Sequence, residues 1–291
     1  MDDAIRKADV LIEALSYIRT FRDRLTVIKL GGSVMDGENL SRTLQDVVFM
    51  ATVGLRPILV HGGGKPIDRA MDALGLEPRK IKGRRYTDEQ TLAVVVQVLL
   101  EQVNTSIVEQ LCGFGSRAVG LHSGTLQCLF GEKLQLRGED GKCVDLGRVG
   151  RVTRVDRELI DRFCAAGVVP VIPSLAWDTE RNWLNINADT AGAAVAAQVK
   201  AEKLVFLTDT PGILRDRSDE TSLLRKLNPA QCRELMARGI IDAGMIPKVE
   251  ACLESLQAGV RQVHMIDGRI RHSLLLEIYT DKGVGTEIRD E

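Results

Sequence analysis

The 291-residue sequence has no apolar run of the ~18 residues that a membrane-spanning helix needs. Its six cysteines (Cys112, Cys128, Cys143, Cys164, Cys232, Cys252) form no CxxC pair. Scattered thiols of this kind fit a reduced cytoplasm and argue against a disulfide framework or a zinc site. Basic residues number 39 and acidic residues 40, a net charge of −1, so no broad basic surface points to nucleic acid. The opening stretch "MDDAIRKADVLIEAL" interleaves acids with bases and lacks the apolar core of a secretory signal. GxxxxGK[ST] is absent, as is GxGxxG after a strand, which excludes the two commonest nucleotide loops. A catalytic base is also missing from the motifs. His61 abuts a glycine run, and His122, His264 and His272 have no partner legible in the sequence.

What is present is a soluble composition, 44% hydrophobic and 27% charged, in regular alternation. Ile5, Ala8, Ile12, Leu15, Ile18 and Leu25 recur at helical spacing and predict an amphipathic helix over 4–25. Short apolar runs then predict strands at 26–30, 57–61, 117–121, 168–172, 204–208 and 262–266. Helical patterns fall at 40–53, 66–74, 88–112, 157–166, 188–199, 229–238, 247–258 and 272–279. Apolar strands separated by helices imply an α/β fold with a mostly parallel sheet covered on both faces. The Gly-rich, charged region 126–155 breaks this alternation and reads as hairpins at an edge. A lobe boundary is expected near 174–186, where "SLAWDTERNW" interrupts the apolar pattern.

Four segments place glycine or a polar cluster between an apolar strand and a helix: "VIKLGGSVM", "ILVHGGGKPI", "LNINADTAGAA" and "VFLTDTPGIL". Ligands of open parallel sheets bind beyond the carboxyl ends of the strands. Bare glycine backbone lets N–H groups approach an anion closely, although either glycine loop could be a tight turn alone. Lys29 ends a buried strand, where it either meets an anion or snorkels to water. Lys248 in "GMIPKVEA" falls in a helix's first turn, against the helix dipole, and so also points to a shared anion. Asn185, Asn187 and Asp189 alternate in "NINAD". They either cap the next helix or supply the carboxylate that holds the lysines. Arg85 in "GRRYTDEQT" offers a fork for a substrate carboxylate, or belongs to a charged helix start. Lysines and glycine amides without a base suit phosphoryl transfer to a carboxylate, which is already a nucleophile at pH 7.

The order of these motifs, from "LIEALSYIRTF" through "IKLGGSVM", "LVHGGGKPI", "GRRYTDEQT", "LNINADTAGAAVA", "EKLVFLTDTPGIL" and "GMIPKVEA" to "HSLLLEIYTDKGVGT", resembles the amino acid kinase family. Within the family it is most similar to arginine-sensitive members that phosphorylate N-acetyl-L-glutamate in arginine biosynthesis. The resemblance implies an open three-layer αβα sandwich. It divides the chain into an oligomerisation helix (1–25), an acetylglutamate-binding and dimerisation lobe (26–180) and an ATP-binding lobe (181–291). It implies ATP with Mg²⁺ carried by the nucleotide, and no metal site of the protein's own. By the same resemblance Lys29, Lys248 and Asp189 are catalytic, and Gly63, Gly64, Arg85, Asn185 and Asn187 hold the acceptor. Gly31, Gly32, Thr208, Asp209, Gly212 and Met245 surround the nucleotide. Tyr17, Lys203, His272, Glu277 and Gly283 are implied near an inhibitory L-arginine, in a hexamer built as a trimer of dimers through the N-terminal helix. No nucleic acid or membrane partner is implied. Five stretches depart from the family wording, among them Arg84-Arg85-Tyr86-Thr87-Asp88 for Leu-Arg-Val-Thr-Asp, Ala243-Gly244-Met245 for Gly-Gly-Met, and Lys65 after the glycine triplet. Leu30-Gly31-Gly32-Ser33-Val34 replaces Tyr-Gly-Gly-Asn-Ala, and Ser123-Gly124-Thr125-Leu126-Gln127 lacks an Asp-Gly. They leave open a related acceptor, such as aminoadipate or glutamate, or a non-catalytic regulatory subunit of the same fold.

Overall fold

In the computed structural model, residues 1–32, 34–35, 37–81, 83–137, 143–241, 244–280 and 282–290 are described. Ser33, and residues 138–142 of the expected hairpin region, lie outside them. Helix α1 (Asp2–Phe21) ends at Phe21 rather than at residue 25, because Asp23 turns the chain with a left-handed φ of 62°. Leu25 therefore opens strand β1 (Leu25–Leu30) instead of closing the helix. There follow α2 (Gly37–Thr52), β2 (Arg56–His61), α3 (Gly64–Ala73) and a short ribbon, β3 (Lys80–Ile81) with β4 (Arg84–Arg85). One helical run then comprises α4 (Glu89–Gln97), a π-turn (Val98–Asn104) and α5 (Thr105–Gly113). After β5 (Ala118–Gly120) come β6 (Leu129–Lys133), β7 (Leu136–Arg137), β8 (Cys143–Val144) and β9 (Val149–Val155). The chain continues through α6 (Arg157–Ala165), β10 (Val169–Pro173), β11 (Leu175–Trp177), β12 (Trp183–Ile186) and α7 (Ala188–Val199). The last elements are β13 (Lys203–Thr208), β14 (Lys226–Leu227), α8 (Pro229–Ala237), α9 (Ile246–Gln257), β15 (Gln262–Asp267), α10 (Ser273–Ile278) and β16 (Thr286–Arg289).

Eight strands form the central sheet, in the order β14-β16-β15-β13-β1-β2-β10-β5. Every pairing is parallel except β15 with β16. Alternate side chains of the buried strands feed two cores. Val27, Val60 and Phe206 face one cluster with residues of α6, α7 and α9. Ile28, Leu59 and Val205 face another with α2, α4, α5 and α10. Period-two alternation thus covers both faces of the sheet with helices, giving the three-layer arrangement.

Two expectations need correction. Region 126–155 does not hang at a sheet edge, since β6 and β9 close a small barrel with β11 and β12. The stretch 174–186, near which a lobe boundary is expected, is regular structure. It is the antiparallel hairpin β11–β12, with Leu175, Ala176, Leu184 and Ile186 buried. The run Glu89–Gly113 is long and apolar enough to cross a membrane, by length and composition alone, which the sequence reading missed. Val95, Val98, Leu99, Ile107 and Leu111 of this run are buried in the core beside α2. Helix α1 uses Tyr17, Ile18 and Phe21 to pack on the same core. Ile5, Ile12 and Leu15 remain exposed, Ile12 at 70%.

Candidate active site

Strand order decides which loops meet. β1 lies between β2 and β13, so the loop after Leu30 stands between the glycine triplet 62–64 and the loop after Thr208. Lys29 enters from the end of β1 and is 7% exposed. A buried ammonium needs a partner, and Lys29 Nζ lies 2.7 Å from Asp189 Oδ1. Asp189 is set by α7, whose first turn is capped by Asn187. The Asn187 side-chain oxygen accepts from the Asp189 and Thr190 amides at 2.9 and 3.1 Å. The cap at Asn187 and the carboxylate beside Lys29 thus belong to one turn, since the cap is what places Asp189. Gly192, a turn along α7, makes room for the lysine stem; a Cβ there would lie 3.3 Å from Lys29 Cβ. Sequence reasoning passed over Gly192.

On the β2 side, Gly63, Gly64, Arg85, Asn185 and Asn187 line one cleft of 230 Å³. Arg85 is fixed there by Asp68, at 2.5 Å, with a further contact from its Nη1 to Met71 Sδ at 3.2 Å. Asp68 was not foreseen. It sits on α3 one turn after the glycines, and only the fold brings it to β4. Asn185 Nδ2 donates to Thr87 Oγ1 at 3.0 Å, and Thr87 donates to the Arg85 carbonyl at 2.9 Å. A chain of bonds thus ties strand β12 to the arginine ribbon.

On the β13 side, Asp209, Gly212, Met245 and Lys248 line a cavity of 470 Å³. Gly212 has φ of 136°, and a Cβ would lie 2.5 Å from Thr286 Oγ1, so glycine is required. Arg269, unforeseen, stands on the same wall in a bidentate grip from buried Asp267, at 2.9 and 2.7 Å. That grip raises the guanidinium's pKa further above its ordinary value. Two expected residues behave differently. Thr208 is buried and bonds Thr210 and Ile266, shaping the loop rather than lining the cavity. Lys248 lies in the first turn of α9, and among the described residues it makes no ion pair, so Asp189 holds one lysine and not two.

At the other end of the strands, Tyr17, Lys203, Glu277 and Gly283 line a pocket of 210 Å³. His272 is not among them. It bonds Asp46 of α2 at 2.6 Å, and its place beside Glu277 is taken by His264 at 2.7 Å. Both histidines therefore have carboxylate partners, which the sequence did not show. Burial pulls the Lys203 ammonium down to about 8 against three nearby glutamates. Burial would raise the Glu277 carboxyl, but His264 and the amides of Val284 and Gly285 hold it below its usual value.

A parallel αβα sandwich with bare glycine loops and a buried lysine at its carboxyl edge defines a phosphoryl-handling class of fold. A model of the amino acid kinase family matches residues 24–267, and the chain belongs to that family. Proteins named acetylglutamate kinase resemble it over nearly their whole length. The Acaryochloris marina protein is 46% identical, covering 99% of each chain, and that of Methanosphaera stadtmanae is 43% identical, covering 97% of each. Among solved structures, N-acetylglutamate synthase of Neisseria gonorrhoeae, complexed with coenzyme A and N-acetyl-glutamate, has a TM-score of 0.86 at 26% identity. The match covers 98% of this chain but only 63% of that one. Carbamate kinase of Giardia lamblia shares the fold, with a TM-score of 0.64 at 15% identity over 92% of this chain and 99% of that one.

The two glycines after Lys29 are expected to respond oppositely to substitution. A Cβ on Gly31 would lie 2.1 Å from the Leu207 carbonyl oxygen, whereas none of the described atoms lies within 4 Å of one on Gly32. Gly31→Ala should lower the melting temperature and the activity together. Gly32→Ala should melt like the wild type. Thermal unfolding of the two variants checks this, and equal melting temperatures would contradict the packing.

Proposed function

We propose that this chain transfers the γ-phosphoryl group of ATP to the side-chain carboxylate of N-acetyl-L-glutamate. The product is N-acetyl-L-glutamyl 5-phosphate, and the place of work is the cytoplasm. The observation that carries the reading is the Lys29–Asp189 pair, set on the strand between a cleft that holds Arg85 and a cavity that holds Lys248. The near full-length likeness to proteins named acetylglutamate kinase supports the choice of acceptor. The lobe around residues 26–180 takes the acceptor, and residues 181–291 take the nucleotide.

The cavity fits ATP in size and chemistry. Its 470 Å³ falls in the usual range for small-molecule sites, ~300–1,000 Å³. Asp209, Gly212 and Met245 surround the nucleotide, with Gly31 and Gly32 toward the phosphates. Mg²⁺ enters on the nucleotide's own oxygens. Arg85, poised by Asp68, turns its fork to the acceptor's other carboxylate, while Gly63, Gly64, Asn185 and Asn187 supply N–H donors. The attacking carboxylate needs no base. Lys29 and Lys248 offset the charge that spreads over the moving phosphoryl group, and Asp189 keeps Lys29 aimed at it.

Regulation belongs to the same reading. L-Arginine binds in the pocket of Tyr17, Lys203, Glu277 and Gly283, with His264 in the role first given to His272. The exposed Ile5, Ile12 and Leu15 pack against α1 of a neighbouring dimer, which builds a hexamer as a trimer of dimers.

Purified chain with MgATP, acetylglutamate and hydroxylamine should yield an acetylglutamate-dependent hydroxamate, in preference to aminoadipate or glutamate. Lys29→Ala and Lys248→Ala should each lower kcat by roughly 10²–10³. Arg85→Ala should instead raise the acetylglutamate KM. A KM unchanged by Arg85→Ala but raised by Lys29→Ala would reverse the assigned roles. Light scattering should find a hexamer for the full chain and a dimer for one starting at Leu25. Only the former should show sigmoidal inhibition by arginine, and a full-length enzyme indifferent to millimolar arginine would remove the regulatory part.

A further inference from the structure

His61 is the last residue of β2 and is fully buried, directly before the glycine triplet. The phosphoryl-transfer scheme makes no use of it, and burial pulls its pKa down to about 4, so the ring is neutral at pH 7. Its tautomer follows from its neighbours. Asn104 Nδ2 lies 3.1 Å from the Val171 carbonyl oxygen, which can only accept, so the amide face of Asn104 is fixed as a donor. The same Nδ2 lies 2.9 Å from His61 Nε2, which must then be the bare nitrogen. The ring proton is on Nδ1, where it donates to the Gly62 carbonyl at 3.1 Å.

That bond sets a direction. In a trans peptide the C=O and the following N–H point opposite ways, and the described chain contains no cis bond. With the Gly62 carbonyl drawn toward the buried ring, the Gly63 N–H is turned the other way, toward the cleft that Gly63 and Gly64 line. Among the described residues neither of these two amides finds a protein acceptor. The other side of the loop is packed by Leu99, whose Cδ2 would lie 2.7 Å from a Cβ on Gly63. Leu99 and Asn104 both belong to the π-turn Val98–Asn104. In an α-helix, residues five apart stand about 140° apart around the axis. A π-turn brings i and i+5 onto one face, and π-turns are rare and concentrate at functional sites. One irregular turn thus presses on Gly63 and locks His61.

We propose that His61, locked by Asn104, is a positioning residue that turns the Gly63 N–H into the acceptor cleft to meet an anionic oxygen of the reacting groups. The identity of those groups rests on the carboxylate-kinase reading above.

Two substitutions separate positioning from mere packing. In His61→Asn the side-chain NH₂ takes the place of Nδ1 and can still reach the Gly62 carbonyl. In His61→Gln the side-chain oxygen takes the place of Nε2, where it accepts from Asn104, and the Gly62 carbonyl loses its donor. Both break the buried network, so both should melt below the wild type by similar amounts. Only His61→Gln should lose kcat, by ~10–100-fold, the range expected when a reacting group is misplaced by about an ångström. The MgATP KM should stay within ~3-fold, and His61→Asn should keep kcat within ~5-fold. Equal loss in the two variants, or wild-type kcat in His61→Gln, would overturn the proposal. Nitrogen-15 NMR of the wild-type chain reads the tautomer without any variant. An Nδ1–H ring supports the proposal, and an Nε2–H or charged ring overturns it. Wild-type chain inactive with acetylglutamate would sink the carboxylate-kinase reading, while the tautomer still decides the role of His61.

Discussion

A lysine charge placed at the end of a buried strand is the constraint around which this molecule is organised. An isolated ammonium in such a position costs several kcal/mol unless it is paired. The partner, Asp189, comes from a helix 160 residues further along the chain, and that helix must start where the carboxylate is needed. Asn187 fixes the start, and Gly192 lets the helix approach the lysine stem. Gly31 lets the next turn pass under the Leu207 carbonyl. Each of these residues has its reason in one ion pair, and the pair draws the two cavities to either side of one strand.

Much of this was legible in the sequence because the signals were long or chemically odd. Buried strands and amphipathic helices repeat over many residues, and every one expected from the apolar pattern is present. Lys29, the glycine triplet and "NINAD" stand out because lysine at a strand end and consecutive glycines are costly without a use. The hairpin β11–β12 was not legible, since its strands are three and four residues long and carry a polar loop between them. The π-turn was hidden inside an apolar run that reads as plain helix. Asp68 and Asp267 were missed because their arginine partners depend on backbone turns that propensity does not encode. The exchange of His264 for His272 has a similar cause. His272 is nearer to Glu277 in sequence, but it takes a left-handed φ of 58° that sends it to Asp46, while the strand position of His264 aims it at Glu277.

The two ends of the sheet share their strands. β13 begins with Lys203 in one pocket and ends at the loop that lines the 470 Å³ cavity of Lys248. β15 likewise carries His264 at one end and Asp267, which grips Arg269, at the other. A ligand at the Lys203 end can influence the other only by favouring one arrangement of these shared elements over another. Desolvated Lys203, stacked 4.5 Å from the Phe21 ring of α1, links that end to the helix whose apolar face is exposed.

The central claim is that Asp189 serves to hold the charge of Lys29 in place for transfer. Asp189→Asn tests it most directly, because it keeps shape and cap while removing the charge that anchors the ammonium. Steady-state kinetics with MgATP and acetylglutamate should show kcat lower by ~10²-fold, the scale of one misdirected transition-state donor, with both KM values within ~3-fold. A variant that turns over at the wild-type rate would contradict the account.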